Sequence, residues 1–323
     1  MRRRLALLLL LAPSVALFAL AACSDSATGP AKLPVTDDRE GGSKKDRTVI
    51  DPPDIDSGGD LPEASTGPGR VYAHTADTLY LYEPVAGELT QIAKFTFGPR
   101  SDGSDPKAAI IDIAVDRTGK MYGTAFNDFF SIDPGTAICT HIAEPVTVVD
   151  YPNSLSFVPA GTADPGKEAL VGYATSIGTS IAETYVQIDT TTGAMTTRGN
   201  INLGTTGPKY QTSGDLIGVI ADGNKTYATV KLRTDAGPTG TDLLAEVDPV
   251  DGHVKRIIGD TQQTNLYGLG YWAGKGYGFS DTGRIIEINM ATGSSVVVKT
   301  LANDAGTALP WFGAGVSTQA PAR

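Results

Sequence analysis

Three acids of this 323-residue chain stand where strand ends could bring them together: Asp112, Asp150 and Asp215. Cleavage of a glycosidic bond uses two carboxyl groups flanking that bond. Aligning the short apolar runs that begin near these acids sets Asp112, Ser156, Ile217, Tyr267 and Phe312 at one level. Only Asp112 is acidic there, and Asp215 and Asp150 approach from above. A pair is available but not marked by spacing. The histidines His74, His141 and His253 fall in unrelated contexts, so no convergent zinc set is expected, and no metal or cofactor with it. Ser104-Asp105-Pro106-Lys107 spells a Ser-x-x-Lys motif, but in a proline-containing loop rather than on a helix.

A second set of residues suits binding. Tyr151, Asn153, Tyr210, Gln211, Asp215, Gln263, Asn265 and Trp311 all precede or open the same apolar runs. Aromatic rings stack and amides hydrogen-bond, a combination that fits a sugar or a peptide. Their plainer role is to satisfy their own turns.

The elements that must position these residues are announced by a repeat. Tyr72-Ala73 leads to Glu83, Tyr122-Gly123 to Asp133, Tyr173-Ala174 to Asp189, Tyr227-Ala228 to Asp248, and Tyr277-Gly278 to Asn289. Four residues further stands Gly87, Ala137, Gly193, Gly252 or Gly293. Five copies of one pattern, built of short β-branched and aromatic runs between turn residues, predict an all-β repeat fold. The polar residue fits the first position of a turn, and the small residue a left-handed one. The first repeat lacks an inner strand. Trp311-Phe312-Gly313-Ala314-Gly315-Val316 matches Leu266-Tyr267-Gly268-Leu269-Gly270-Tyr271 and supplies one from the far end of the chain. The expected fold is a five-bladed β-propeller over residues 70–323, closed by a C-terminal strand joining the first blade; a six-bladed ring is the alternative. In this pattern residues 70–323 resemble secreted bacterial propellers of the NHL/YVTN-like kind. The resemblance implies tight a–b and c–d turns on one face. The b–c and d–a connections lie on the other face, where the long segments Gly98–Ala109, Glu144–Asn153, Ser176–Thr184, Arg198–Gly214, Lys231–Asp242 and Ala302–Pro310 gather. That face is the expected binding face. Five-bladed propellers also include glycan-cleaving enzymes with carboxylates near the axis, which keeps a hydrolase or lyase as the alternative.

The N-terminus carries an address. Met1-Arg2-Arg3-Arg4 is followed by an uncharged run from Leu5 to Ala22, a signal-peptide pattern. Leu20-Ala21-Ala22-Cys23 resembles the lipobox of bacterial lipoproteins, which implies cleavage after residue 22 and lipidation, palmitate included, of Cys23. Ser24 at the next position implies the outer membrane. Residues 23–69 hold no aromatic residue, six prolines and an excess of acids, and read as an extended disordered tether. Loss of residues 1–22 removes three arginines and no acid, taking the net charge from −10 to −13. Such a chain repels nucleic acid. Attachment to a membrane is then expected through the lipid anchor. With Cys23 lipidated, Cys139 is the one cysteine left, and no internal disulfide can form. Together these readings describe an envelope-tethered module that binds a glycan, a peptide or an envelope protein.

Overall fold

The computed structural model describes residues 70–106, 109–145, 150–175, 182–303 and 306–323. Cys23, the lipobox and the tether lie outside them. The described chain forms five antiparallel sheets. Blade 1 contains β1 (Val71–His74), β2 (Thr78–Glu83) and β3 (Glu88–Lys94). A short strand β4 (Thr96–Phe97) leads into blade 2, made of β5 (Asp112–Val115), β6 (Met121–Ala125), β7 (Asp128–Ile132) and β8 (Ile138–Ala143). Blade 3 holds β9 (Leu155–Val158), β10 (Ala169–Thr175), β11 (Ala182–Ile188) and β12 (Met195–Asn200). Blade 4 holds β13 (Lys209–Val219), β14 (Lys225–Thr234), β15 (Gly237–Val247) and β16 (Val254–Asp260). Blade 5 holds β17 (Leu266–Trp272), β18 (Lys275–Ser280), β19 (Arg284–Asn289) and β20 (Ser295–Thr300). The last strand, β21 (Gly313–Gly315), pairs antiparallel with β1 and completes blade 1. The inner strands β21, β5, β9, β13 and β17 touch in that cyclic order. The chain is a five-bladed β-propeller closed as the repeat predicted.

The repeat residues take the places their chemistry demands. Asp133 Oδ1 accepts the Gly135 and Thr136 N–H groups at 2.8 and 2.9 Å, and Asp189 Oδ1 those of Thr191 and Thr192 at 2.9 and 2.8 Å. Asn289 Oδ1 likewise accepts the Ala291 and Thr292 N–H groups in blade 5, and Asp248 Oδ1 that of Val250 in blade 4. Gly87, Ala137, Gly193, Gly252 and Gly293 all have φ between 57° and 75°. Tyrosines tie two of the blades to the next turn: Tyr173 Oη donates to the Gly252 carbonyl at 2.5 Å, Tyr151 Oη to that of Gly193 at 2.9 Å.

Beyond its inner strand, β21, the chain crosses the plain-face end of the axis. Ser317 bridges Val115 of blade 2. Thr318 bonds Glu168 of blade 3 and accepts the Ile220 N–H of blade 4 at 3.2 Å. Pro321 accepts the Ala273 N–H of blade 5 at 2.9 Å. One tail thus links the inner-strand ends of all the other blades to blade 1.

Outer junctions follow one rule with one departure. Each outer strand bulges, and the residue at the same ladder position is Ala93, Ala143, Gly199, Gly259 or Lys299. The small ones sit directly on the next blade's turn. A Cβ added to Gly193 would meet the Ala143 Cβ at 2.5 Å, and one added to Gly293 would meet Gly259 at 2.7 Å. At the seam of blades 5 and 1 Lys299 instead spans the gap, its Nζ donating to the Gly87 carbonyl at 2.8 Å. A Cβ on Gly87 would find nothing within 4 Å.

One expectation needs correction. Residues 209–214 and 231–242 are not loops. They extend β13, β14 and β15 to 10 or 11 residues, well beyond the 3–7 of the other blades' inner strands. Lys209–Thr212 pair with Val230–Arg233, and Leu232–Thr234 with Gly237–Thr239. Polar, solvated strands lack the apolar alternation that betrays a half-buried strand, so their composition reads as loop.

These junctions predict unequal costs for one substitution. Gly87→Ala should cost about 1 kcal/mol, the strain of a left-handed alanine. Gly193→Ala adds overpacking and should cost roughly 2–4 kcal/mol. Urea unfolding of both variants checks the ordering.

Candidate functional site

Toward the loop face, N–H groups of four inner strands converge on two carboxyl groups. Asp112 Oδ1 accepts from Ile113 N at 2.8 Å and its Oδ2 from Leu155 N at 2.5 Å. Asp215 Oδ1 accepts from Leu216 N at 2.7 Å and Leu155 N at 3.3 Å, its Oδ2 from Leu269 N at 3.3 Å. Both side chains are fully buried and hydrogen-bonded to each other. Burial raises the pKa of both well above the ordinary carboxyl range, and at Asp112 the Asp215 charge raises it further. Two carboxyl groups this close in a buried place relieve their repulsion by sharing one proton.

The ladder explains why alignment missed this pair. Asp112 pairs with Thr124, Gly313 with His74, and Gly268 with Phe279, each partner two residues past a repeat tyrosine. Asp215 directly precedes Leu216, the partner of Ala228. The level of Asp112 is thus shared by Asp215, Gly268 and Gly313. Ile217, Tyr267 and Phe312 were displaced from it by one or two residues, because apolar runs do not report pairing register.

His74 closes blade 1 beside the pair. Its Nδ1–H donates to the Thr75 carbonyl at 2.9 Å, which leaves Nε2 bare. Desolvation lowers its pKa to about 4, against a smaller opposing effect of that bond. A Cβ on Gly313 would meet His74 Nε2 at 2.6 Å and would also collide with Asp112. Only glycine fits there.

A second network fills the junction of blades 4 and 5. Asp242 is buried at the start of the blade 4 core ladder. Its Oδ1 accepts from Ser213 Oγ at 2.6 Å and faces Lys231 Nζ at 3.6 Å; its Oδ2 accepts from Leu266 N at 2.6 Å. Desolvation raises its pKa against those stabilising bonds. Lys231 Nζ also donates to Asn265 Oδ1 at 2.5 Å, and Asn265 Nδ2 donates to Asp281 Oδ2 at 2.7 Å. Tyr267, 36% exposed, borders this network. Its hydroxyl pKa is raised by desolvation first, then by the charges of Asp281 and Asp242.

Buried polar atoms without a hydrogen-bond partner gather on this face. Among the described residues they include His74 Nε2, Asn153 Oδ1, Gln211 Oε1, Asp281 Oδ1 and Trp311 Nε1, against Thr226 Oγ1 on the plain face. Each such atom costs about 1–3 kcal/mol while unpaired.

The expected binding residues divide into three groups. Gln211 is the ladder partner of Lys231, Asn265 binds Lys231, and Gln263 holds the Asp242 N–H through its carbonyl at 2.8 Å. With Asp215 on the neighbouring β13 these residues meet at the blade 4–5 junction. Tyr210 and Asn153 stand half-buried elsewhere on the face, Tyr210 locked to Asn202 through both main-chain groups. Tyr151 and Trp311 are buried between blades, Trp311 edge-on to Tyr80 and Phe279 at 5.3 and 5.4 Å. His74, Lys231, Asp242 and Asp281 were not singled out. His74 had a signal, its place two residues after a repeat tyrosine. Asp242 had none, since its surroundings read as loop.

Clefts open on both faces. On the plain face one of about 550 Å³ lies beside Arg117, Lys167 and Glu168, and one of about 600 Å³ beside Asp222, Lys225 and Glu287. Loop-face clefts are smaller, about 510 Å³ where Arg233 and Asp235 of the blade 4 extension overhang Glu183, Asn200 and Asn202. Volume alone does not choose between them. Turn carboxylates of the plain-face walls, Asp116 and Asp189, are occupied by their own turns, whereas the unpaired acceptors lie on the loop face. Among the described residues no group of three or more His, Cys, Asp and Glu side chains is placed to hold a metal ion.

No family model matches the chain. No curated protein matches it either. Solved structures similar to it include a protein of unknown function from Bacteroides caccae, with TM-score 0.36 and 8% identity over 74% of this chain and 74% of that one. A structural genomics protein of unknown function from Bacteroides thetaiotaomicron gives 0.40 and 13% over 80% and 63%. BamB from Moraxella catarrhalis gives 0.26 and 14% over 73% and 71%. Likeness at this level carries no argument about function.

The axial groups predict opposed pH dependences. The carboxyl pair binds more protons folded than unfolded, so its contribution to stability falls as pH rises from about 4 through its raised pKa. His74 binds its proton only when unfolded between about 6.5 and 4, so its contribution falls as pH drops through that window, by roughly 3 kcal/mol in all. Asp112→Asn cannot accept both main-chain N–H groups and should lower stability at every pH. It should also shrink the decline toward neutral pH, since one buried carboxyl group remains, and leave the His74 slope, as read from urea midpoints between pH 4 and 8.

Proposed function

We propose that the protein is a lipid-anchored binding module of a bacterial envelope, which takes a glycan, peptide or protein ligand on its loop face. The observation that carries the reading is the gathering of unpaired, buried polar atoms on that face, next to the one blade whose strands overshoot the others. Buried polar atoms are paired in most folded proteins, so a cluster of exceptions marks groups kept for something else. A rigid ring with an irregular face is also a common way to hold binding groups still. The lipobox, Cys23 and the acidic tether support the address: an anchor at the membrane, outer by the Ser24 signal, with the propeller held away from anionic lipid by its net charge.

The alternative is a hydrolase or lyase working through axial carboxylates. It would need one of them turned toward a substrate with a free oxygen. Asp112 and Asp215 are fully buried, and all four of their oxygens are engaged by main-chain N–H groups.

Two experiments test the reading. Cys23→Ala should move the protein from the membrane to the soluble fraction, and unchanged fractionation would contradict the anchor. The purified protein should capture an oligosaccharide or an envelope protein. Capture should be lost on replacing the overhanging residues Arg233 and Asp235 by alanine, and retained on Lys225→Ala on the plain face. The reverse pattern would place the ligand on the wrong side of the ring.

A further inference from the structure

Two acceptor oxygens at the blade 4–5 junction are reached by no donor: Gln211 Oε1 and Asp281 Oδ1, both shut off from solvent. They belong to one chain of contacts. Gln211 lies across the ladder from Lys231, Lys231 binds Asn265, and Asn265 binds Asp281. The Asn265 amide is engaged at both ends, so its orientation is fixed. Its backbone is held as well, with φ 55° and its carbonyl accepting the Asp281 N–H at 3.1 Å. The free oxygen of Asp281 is therefore held in place rather than able to turn to a new partner. Tyr267 stands beside this network with part of its ring exposed. It is anchored because its backbone packs against Gly214, where a Cβ would collide with Leu266 and Tyr267 main-chain atoms.

Resting on the loop-face reading above, we infer that this junction is a saccharide subsite: a sugar ring lies on Tyr267, and two of its hydroxyls donate to Gln211 Oε1 and Asp281 Oδ1. Entry requires the long, flexible Lys231 side chain to swing aside, after which its ammonium can donate to a sugar oxygen. The residue types choose the ligand class. Two bare acceptors call for donors. An ammonium ligand would bring a second cation against Lys231. A carboxylate or phosphate would bring an anion against Asp242 and Asp281. A hydroxyl is neutral and both donates and accepts, which suits a lysine, two amides and a carboxylate together. The ring supplies the flat apolar surface that the C–H face of a sugar needs.

An array of immobilised oligosaccharides probed with the purified protein, followed by titration with the best-bound soluble oligosaccharide, tests this. Tyr267→Ala and Asp281→Asn should each weaken binding by about tenfold or more, the loss of one stacking or charge-assisted contact. Phe126→Ala, at another exposed aromatic side chain, should leave it unchanged. Gln211→Met should weaken binding and raise the unfolding temperature of the free protein, because it removes an unmet buried acceptor; a merely structural glutamine would show no such opposition. Should Asp281→Asn fail to fold, the Tyr267 and Gln211 variants carry the test. Sugar binding untouched by these variants overturns the inference. So does a silent array while an envelope protein or peptide is still captured through the loop face, an outcome that leaves the binding reading standing. A silent array with no protein captured overturns both.

Discussion

Five inner strands meet at the axis of this ring, and N–H groups on their axial edges have no neighbouring strand to bond. A buried, unpaired main-chain donor is costly. Asp112 and Asp215 meet this constraint by accepting Ile113, Leu155, Leu216 and Leu269 N–H groups from four blades. Two charges so close in a dry place would repel, so the pair keeps a proton. Blade 1 contributes Gly313 at the same level, because His74 and Asp112 already occupy the space a side chain would need.

That closure determines where function can lie. The carboxyl groups that sequence chemistry would first nominate for catalysis are occupied in joining blades. The plain-face end is bridged by residues 317–321 of the tail. On the proposed reading, ligand chemistry falls to the margins of the loop face, where blade 4 overshoots and where the Lys231–Asn265–Asp281 network leaves acceptors unmet. Rigidity there comes from the same tight junctions that hold the ring, small residue against left-handed turn, with the Lys299 seam as the looser place.

The scaffold was legible because it repeats. Tyrosine, polar turn residue and small residue recur in one order, the last two always four apart, and each has a single physical task, so five copies fix blade number. The site was legible in part. Gln211, Asp215, Gln263 and Asn265 could be found because they flank inner strands, and the fold does bring them to one junction. Tyr151 and Trp311 share that position in sequence but turn inward as blade-to-blade packing, since an aromatic residue before an inner strand can face either way. Lys231 and Asp242 were hidden inside polar strands that look like loops. The Asp112–Asp215 pair was hidden by register, which depends on bulges such as that between Thr212 and Leu216 and leaves no mark in composition.

The proton shared at the axis is the claim on which the rest stands, and infrared spectroscopy reads it directly. At neutral pH the folded protein should show the carbonyl stretch of a buried, protonated carboxyl group, absent from the Asp112→Asn/Asp215→Asn double variant. A spectrum of ionised carboxylates alone in the folded wild-type protein would contradict the account, because two buried anions could not close the ring as described.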